Sequence, residues 1–166
     1  SNLKTIIAPH NVDEESLRMV EVSFNKTVVR WSDLSQQKKD NADILLIDCI
    51  GILTKIYSYA NIAYVGGGMG TKGLHNTLEP AVFGTPILVG KNFTRFQEAQ
   101  DLVTLGGIVS VNSSVSFESE FSKIVADKKL QKEMGLTNLN YIKKQAGATS
   151  KVLLKLKEVF KELDIV

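Results

Sequence analysis

Short apolar runs alternate with amphipathic segments along most of the chain, and this alternation restricts the fold more than any other sequence feature. Several runs are continuously apolar, which is typical of parallel strands covered on both faces. They predict strands at 5–9, 27–33, 42–48, 62–67, 86–90 and 107–111. The segments between them predict helices at 13–24, 51–60, 77–84 and 95–106. The expected fold is therefore α/β: a Rossmann-like, doubly wound parallel sheet of about six strands.

Only helical spacing remains after residue 111, which predicts C-terminal helices at 115–127, 128–146 and 149–164. A length of 166 residues suits a single domain over 1–166. The 20 basic and 18 acidic residues give a net charge of +2 and no electrostatic reason to expect nucleic acid as a partner. The single cysteine excludes an internal disulfide, and neither a signal peptide nor an apolar run of the ~20 residues that span a bilayer is found. These features predict a cytoplasmic protein.

Three loops follow the carboxyl ends of predicted strands, where ligands bind in open α/β sheets. They are PHN, which contains His10, the glycine-rich loop after 62–67, and GKNFTRF after 86–90. In the glycine-rich loop, Gly66, Gly67 and Gly68 allow backbone N–H groups to approach an anion because no Cβ intervenes. The pattern is not a P-loop. It predicts a phosphate site, with a simple turn as the alternative.

The motif NTLE, at 76–79, has two interpretations. Asn76 and Glu79 have the spacing of a helix capping box, which needs no ligand. If Thr77 is the N-cap instead, Pro80 falls among the helical residues whose N–H groups have no partner in the helix. Glu79 is then available to accept hydrogen bonds from two ribose hydroxyls. The sequence leaves both interpretations open.

His75 and Lys72 lie in the same segment and are candidates for ligand contact, although backbone bonding and solvation are the simpler alternatives. The chain contains only two histidines, and no cluster has metal-ligand spacing, so no metal site is predicted. No Ser-His-Asp arrangement or close carboxylate pair is apparent, and no cofactor is expected.

A resemblance to a known family is carried by the segment GGGMGTKGLHNTLEPAVFGTPILVGKNFTRFQEA. It resembles the C-terminal domain of the bacterial 3-deoxy-D-manno-octulosonic acid (Kdo) transferases of lipid A assembly. IDCIGILTKIYSYANIAYVGGG and the first strand with APH fit the same family, so the resemblance covers nearly the whole chain. Glu79, Gly84 and Pro86 form an E-x-x-x-x-G-x-P pattern that many two-domain GT-B glycosyltransferases share. The resemblance implies that the chain is one half of a GT-B enzyme.

The resemblance also implies a ligand and a role for each candidate residue. In the family, this domain holds the donor CMP-Kdo and the N-terminal domain holds the lipid A precursor. By resemblance, the glycine loop and the start of the 77–83 helix, with Thr77, contact the donor phosphate. Asn76 and Glu79 hold the phosphate end and the ribose hydroxyls, and His75 lies beside them. Lys72 balances the phosphate or the Kdo carboxylate, and Gly51 lines the cytidine side.

The chain departs from the family pattern at two points. Many relatives have an arginine before the histidine of the first loop, where this chain has Pro9 before His10, so the arginine's anion contact is absent while His10 remains a candidate. The family's catalytic glutamate belongs to the N-terminal domain, so no catalytic residue is expected within 1–166. We expect the chain alone to bind cytidine nucleotides weakly and to transfer nothing. In the whole enzyme, the resemblance implies peripheral contact with the cytoplasmic face of the inner membrane.

Two other functions fit the shorter motif. The generic E-x-x-x-x-G-x-P pattern suits the donor domain of a UDP-sugar GT-B glycosyltransferase or a sugar-nucleotide epimerase equally well. A non-catalytic α/β interaction module with an unused pocket is an alternative of another class. Competition between CMP, UMP and UDP separates the first alternative from a CMP-sugar domain, and loss of all nucleotide binding would favour the second.

Overall fold

The computed structural model describes residues 3–35, 41–71 and 73–162, and of Thr149 only the backbone. The chain forms two compact units, Ser1–Ile56 and Tyr57–Val166. Each unit is built on a three-stranded sheet in which every pairing is parallel. The predicted α/β class and the six strands are thereby confirmed.

The first unit has the strand order β1-β3-β2. Its elements are β1 (Thr5–Ile7), α1 (Glu14–Ser23), β2 (Val28–Arg30) and β3 (Ile44–Leu46), and α2 (Leu53–Tyr57) crosses the division between the units. The central strand β3 buries Ile44 and Leu46, and α1 buries Leu17. Asp13 caps α1, because its carboxylate accepts a hydrogen bond from the Ser16 N–H at 2.9 Å.

Arg30, at the end of β2, joins α1 to the sheet. Its guanidinium contacts Glu14 at 2.7 Å and Glu21 at 2.6 Å. Hydrogen bonds from Arg30, and then from Arg18, lower the pKa of Glu14 from its ordinary value of 4.5 to about 2. The network is partly exposed, so its contribution to stability is screened by salt.

This network predicts an acid-dependent loss of stability. Because the folded pKa of Glu14 lies below the unfolded value, its contribution is complete above pH 4.5 and is lost as the pH falls toward 2. Urea unfolding at a series of pH values should therefore show wild type more stable than Glu14→Gln at pH 6, with the gap closing by pH 2. Glu15→Gln, which removes the same charge from the same helical turn, is the control. A gap for Glu14→Gln that did not change with pH would contradict the prediction.

The second unit has the strand order β4-β5-β6. Its elements are β4 (Ala63–Val65), α3 (Leu78–Ala81), β5 (Ile87–Gly90), α4 (Gln97–Leu105), β6 (Ile108–Val111), α5 (Ser114–Ala126), α6 (Lys128–Gln145) and α7 (Ala148–Glu162). Every residue of the central strand β5 is buried. Ile87 and Val89 belong to one hydrophobic cluster and Leu88 to another, so both faces of the strand are covered. The continuous apolar run of β5 is explained by this double burial.

Several predicted elements are longer than the observed ones, and the predicted helix 77–84 covers only Leu78–Ala81. The predicted strand 27–33 ends at Arg30 and continues as a 3-10 turn, Trp31–Asp33. Ser32 explains the change, since its N–H and hydroxyl both donate to the carboxylate of Asp48. The predicted helix 51–60 covers only Leu53–Tyr57. Gly51 has a φ of +95°, outside the helical region, and the chain turns again where the Ala60 N–H bonds the Tyr57 carbonyl.

Candidate functional site

The glycine loop, defined here as residues 66–73, leaves the carboxyl end of β4 and folds back on itself. Gly67 has a φ of +87°, and a Cβ there would lie 2.0 Å from the Gly73 carbonyl oxygen. The loop closes where the His75 N–H donates to the Gly66 carbonyl at 3.1 Å. Position 67 therefore requires glycine for both its backbone angle and its lack of a side chain.

The loop is also attached to the segment that follows β5. The backbone N–H of Asn92 donates to the Gly68 carbonyl at 2.8 Å. The side-chain amide of the same residue donates to the Gly70 carbonyl at 2.9 Å. Gly90 packs directly on the loop, since a Cβ at this position would lie 2.3 Å from the Gly68 carbonyl carbon. The loop after β4 and the segment after β5 are thus joined by hydrogen bonds and backbone packing.

In the NTLE segment the N-cap is Thr77, as in the second interpretation of the sequence, and no capping box forms between Asn76 and Glu79. Thr77 is the backbone N-cap of α3, because its carbonyl accepts from the Ala81 N–H at 3.3 Å. The capping side chain is nevertheless Asn76, whose amide oxygen accepts from the Leu78 N–H at 3.0 Å. The amide nitrogen of Asn76 donates to Glu79 Oε1 at 3.2 Å. Pro80 is the third residue of α3, where its missing N–H is not needed.

Asn76 therefore orients Glu79 instead of competing with it. One carboxylate oxygen of Glu79 receives the amide of Asn76, and the side chain is only half-buried, so the second oxygen is accessible to a ligand hydroxyl. Burial raises the pKa of Tyr57, and the negative charge of Glu79 raises it further. Glu79 thus lies close enough to an aromatic side chain of the same unit to affect its ionisation.

Thr77 differs from its neighbours because it is only 1% exposed. Its hydroxyl is buried and has no hydrogen-bond partner among the residues that the structure describes. His75 is exposed, and its ring lies beside the glycine loop, with Cδ2 3.1 Å from the position of a Cβ on Gly67.

Helix α6 supports this segment from behind. Gly84, with a φ of +67°, ends the NTLE segment, and a Cβ on Gly135 of α6 would lie 2.2 Å from the Gly84 carbonyl oxygen. Asn138, which is fully buried, donates to the carbonyls of Thr85 at 2.7 Å and Gly107 at 3.0 Å. One side chain thus holds the residues that precede β5 and β6.

The other candidates are placed as follows. Lys72 lies outside the described residues. His10 and Gly51 belong to the first unit, where both are exposed in segments that follow β1 and β3. Burial would raise the pKa of Asp48, which also follows β3, but hydrogen bonds from Ser32 outweigh it and lower that pKa. Within the second unit, the structure brings together the three glycines, His75, Asn76 and Glu79.

Sequence reasoning missed Asn92 as part of this site. The only signal was its loop, GKNFTRF, which follows a strand at the edge where ligands bind. In the described ranges, no group of three or more His, Cys, Asp or Glu residues is suitably placed to hold a metal ion. No helix among the described residues has the length and apolarity needed to cross a membrane.

Comparison with known proteins supports the resemblance. The chain is 31% identical over 120 residues to a 3-deoxy-D-manno-octulosonic acid transferase of Haemophilus influenzae, covering 71% of this chain and 28% of that protein. It is 35% identical over 92 residues to a bifunctional glycosyltransferase/methyltransferase of Fusobacterium nucleatum, covering 54% of the chain and 14% of that protein. Further relatives carry the same name as the first. The resemblance to the Kdo transferases is thereby confirmed, and the chain spans only about a quarter of the first relative's length.

A solved structure has the same fold. The C-terminal CMP-Kdo binding domain of WaaA from Acinetobacter baumannii aligns with a TM-score of 0.71 and 22% identity, covering 82% of this chain and 72% of that one. The Rossmann-like fold expected from the sequence is therefore confirmed. No family model matches the chain.

Proposed function

We propose that this chain is the donor-binding half of a glycosyltransferase, and that its donor is CMP-Kdo. The observation that carries the proposal is the arrangement of the second unit, where a glycine loop that is exposed at residues 69–71 is followed by a carboxylate oriented by Asn76. A nucleoside monophosphate sugar has a phosphate and a ribose that match these two features. The similarity to Kdo transferases and the CMP-Kdo binding domain of the WaaA relative support the choice of donor.

In this proposal the phosphate lies against the glycine loop and the ribose lies against Glu79. The free carboxylate oxygen of Glu79 accepts from the ribose hydroxyls, while the other oxygen keeps its bond from Asn76. CMP leaves with a single phosphate, so backbone N–H groups and one basic residue, Lys72, stabilise the leaving group. His75, His10, Gly51 and Thr77 are the remaining proposed donor contacts.

The transfer step needs a group that these residues do not supply. A carboxylate base removes the proton from an acceptor hydroxyl, that oxygen attacks the anomeric carbon of Kdo, and CMP leaves. We assign the base and the site for the lipid A precursor to another domain of the whole enzyme, at the cytoplasmic face of the inner membrane. The 166-residue chain alone is then expected to bind donor nucleotides and to release no product.

Titration calorimetry with CMP and UMP tests the donor assignment. CMP should bind more tightly than UMP, and Glu79→Gln should weaken CMP binding about 10-fold or more, equal to ~1.4 kcal/mol or more. Glutamine keeps the size of the side chain and offers its oxygen to Asn76, so its amide nitrogen is left facing the ribose and cannot accept a hydrogen bond. Glu98→Gln, in the first turn of α4, is the matched control and should leave the affinity unchanged.

Other results would contradict separate parts of the proposal. Preferred binding of UMP would overturn the CMP assignment and favour the donor domain of a UDP-sugar enzyme. Equal CMP affinity in wild type and Glu79→Gln would refute the proposed contact between Glu79 and the ribose. Complete absence of nucleotide binding would favour a non-catalytic module, and release of free or transferred Kdo from CMP-Kdo by the chain alone would refute the division of roles.

A further inference from the structure

Three carbonyl groups of the glycine loop accept hydrogen bonds from the protein. The Gly66 carbonyl accepts from the His75 N–H, the Gly68 carbonyl from the Asn92 N–H, and the Gly70 carbonyl from the Asn92 side-chain amide. These are alternate residues, so alternate peptide groups of the loop are fixed in orientation. Two of the three bonds come from Asn92.

The fixed carbonyls determine where the N–H groups point. In a planar trans peptide, the N–H of the following residue points opposite to the carbonyl. The carbonyls face the protein, so the N–H groups of Gly67, Met69 and Thr71 face away from it. None of the three donates a hydrogen bond to another residue within the described part of the chain. Met69 and Thr71 are both exposed residues.

Backbone N–H groups of a loop that point away from the protein can bind an anion. We propose that Asn92 is a positioning residue that orients the Met69 and Thr71 N–H groups toward the donor phosphate. This inference rests on the proposed function, because it deepens the assignment of the glycine loop as the phosphate site. Asn92 acts through the loop and makes no contact with the phosphate itself.

The two bonds of Asn92 have separable effects. Any residue except proline keeps the backbone bond to the Gly68 carbonyl, so substitution at 92 preserves the orientation of the Met69 N–H. Only a side-chain donor of suitable length holds the Gly70 carbonyl and thereby the Thr71 N–H. Aspartate has the size of asparagine but cannot donate when ionised, and its charge repels a phosphate. Substitution at 92 should therefore affect Thr71 more than Met69.

An NMR titration with CMP, following the amide signals of the 166-residue chain, tests the proposal. In wild type, CMP should shift the amide signals of Met69 and Thr71. In Asn92→Ala the Met69 shift should persist, the Thr71 shift should be largely lost, and the affinity should fall about 5–10-fold, as expected for one lost hydrogen bond. Asn92→Asp should bind more weakly still, and added salt should reduce the difference between the two variants.

Asn112→Ala is the matched control, because Asn112 also follows a strand of this sheet but bonds to Ser116. It should lower the melting temperature without changing CMP affinity. Unchanged affinity and an unchanged Thr71 shift in Asn92→Ala would overturn the role of Asn92 and leave the proposed function standing. So would a loss of affinity that merely follows melting temperature across Asn92→Ala and Asn112→Ala. Wild-type protein that shows no CMP-induced shift at any amide would overturn the proposed function as well.

Discussion

Alanine at Gly90 is expected to unfold part of the site and to abolish detectable nucleotide binding. The added Cβ would lie 2.3 Å from the Gly68 carbonyl carbon and 2.4 Å from the Met69 nitrogen. Both are backbone atoms, so no side-chain rotation relieves the overlap. We expect a loss of about 3 kcal/mol in the free energy of unfolding, or roughly 6–12 °C in melting temperature. Thermal unfolding and CMP calorimetry on the same sample measure both effects.

Gly70→Ala is the control for this prediction. Gly70 belongs to the same loop, but a Cβ there has no atom within 4 Å and the backbone angle is not left-handed. Its melting temperature should match that of wild type. If Gly90→Ala were as stable as Gly70→Ala, the close approach of β5 to the glycine loop would be wrong.

The second large effect is expected at Asn138. Its amide nitrogen donates to the Thr85 and Gly107 carbonyls in a fully buried position. Asn138→Ala leaves both carbonyls without this donor and opens a cavity, so it should cost about 3–5 kcal/mol in the free energy of unfolding. Urea unfolding monitored by circular dichroism gives the value directly.

Two further variants separate the stability lost with the hydrogen bonds of Asn138 from the effect of substituting any asparagine of α6. Asn140→Ala removes the same amide two residues later on α6, where it is exposed, and should cost less than about 0.5 kcal/mol. Asn138→Asp keeps the shape but buries a carboxyl group whose pKa is raised in the folded state. The aspartate variant should therefore lose stability as the pH rises above about 4. A small effect of Asn138→Ala would mean that the two carbonyls find other donors.

Elements were predictable from the sequence where burial alone determines them. The run PILVG predicted β5 because every residue of this strand is buried. The end of the NTLE helix was predicted at Gly84, which has a positive φ, but the helix ends earlier, at Ala81. The 3-10 turn at Trp31–Asp33 was not predictable, because it depends on the bonds from Ser32 to Asp48, sixteen residues away. Propensity and periodicity contain no information on such distant partners.

The residues of the candidate site also divide into those that the sequence predicts and those that it does not. The glycines, Asn76 and Glu79 were found because they are close together in sequence and have a recognisable spacing. Whether Asn76 or Thr77 caps α3 could not be decided, because both residues cap the helix, Asn76 through its side chain and Thr77 through its backbone carbonyl. Asn92 was missed because its partners lie 22 and 24 residues earlier in the chain. Only the parallel pairing of β4 and β5 brings them together.

The packing of Gly68 against Gly90 also limits how such a chain can evolve. A side chain at either position meets the backbone of the other, at 3.0 Å from Gly68 and 2.3 Å from Gly90. Substitution at Gly90 is the more restricted of the two, because the overlap there is larger. Changes in donor preference among descendants of this sequence should therefore accumulate in side chains around the loop, such as Met69, and leave the two glycines in place.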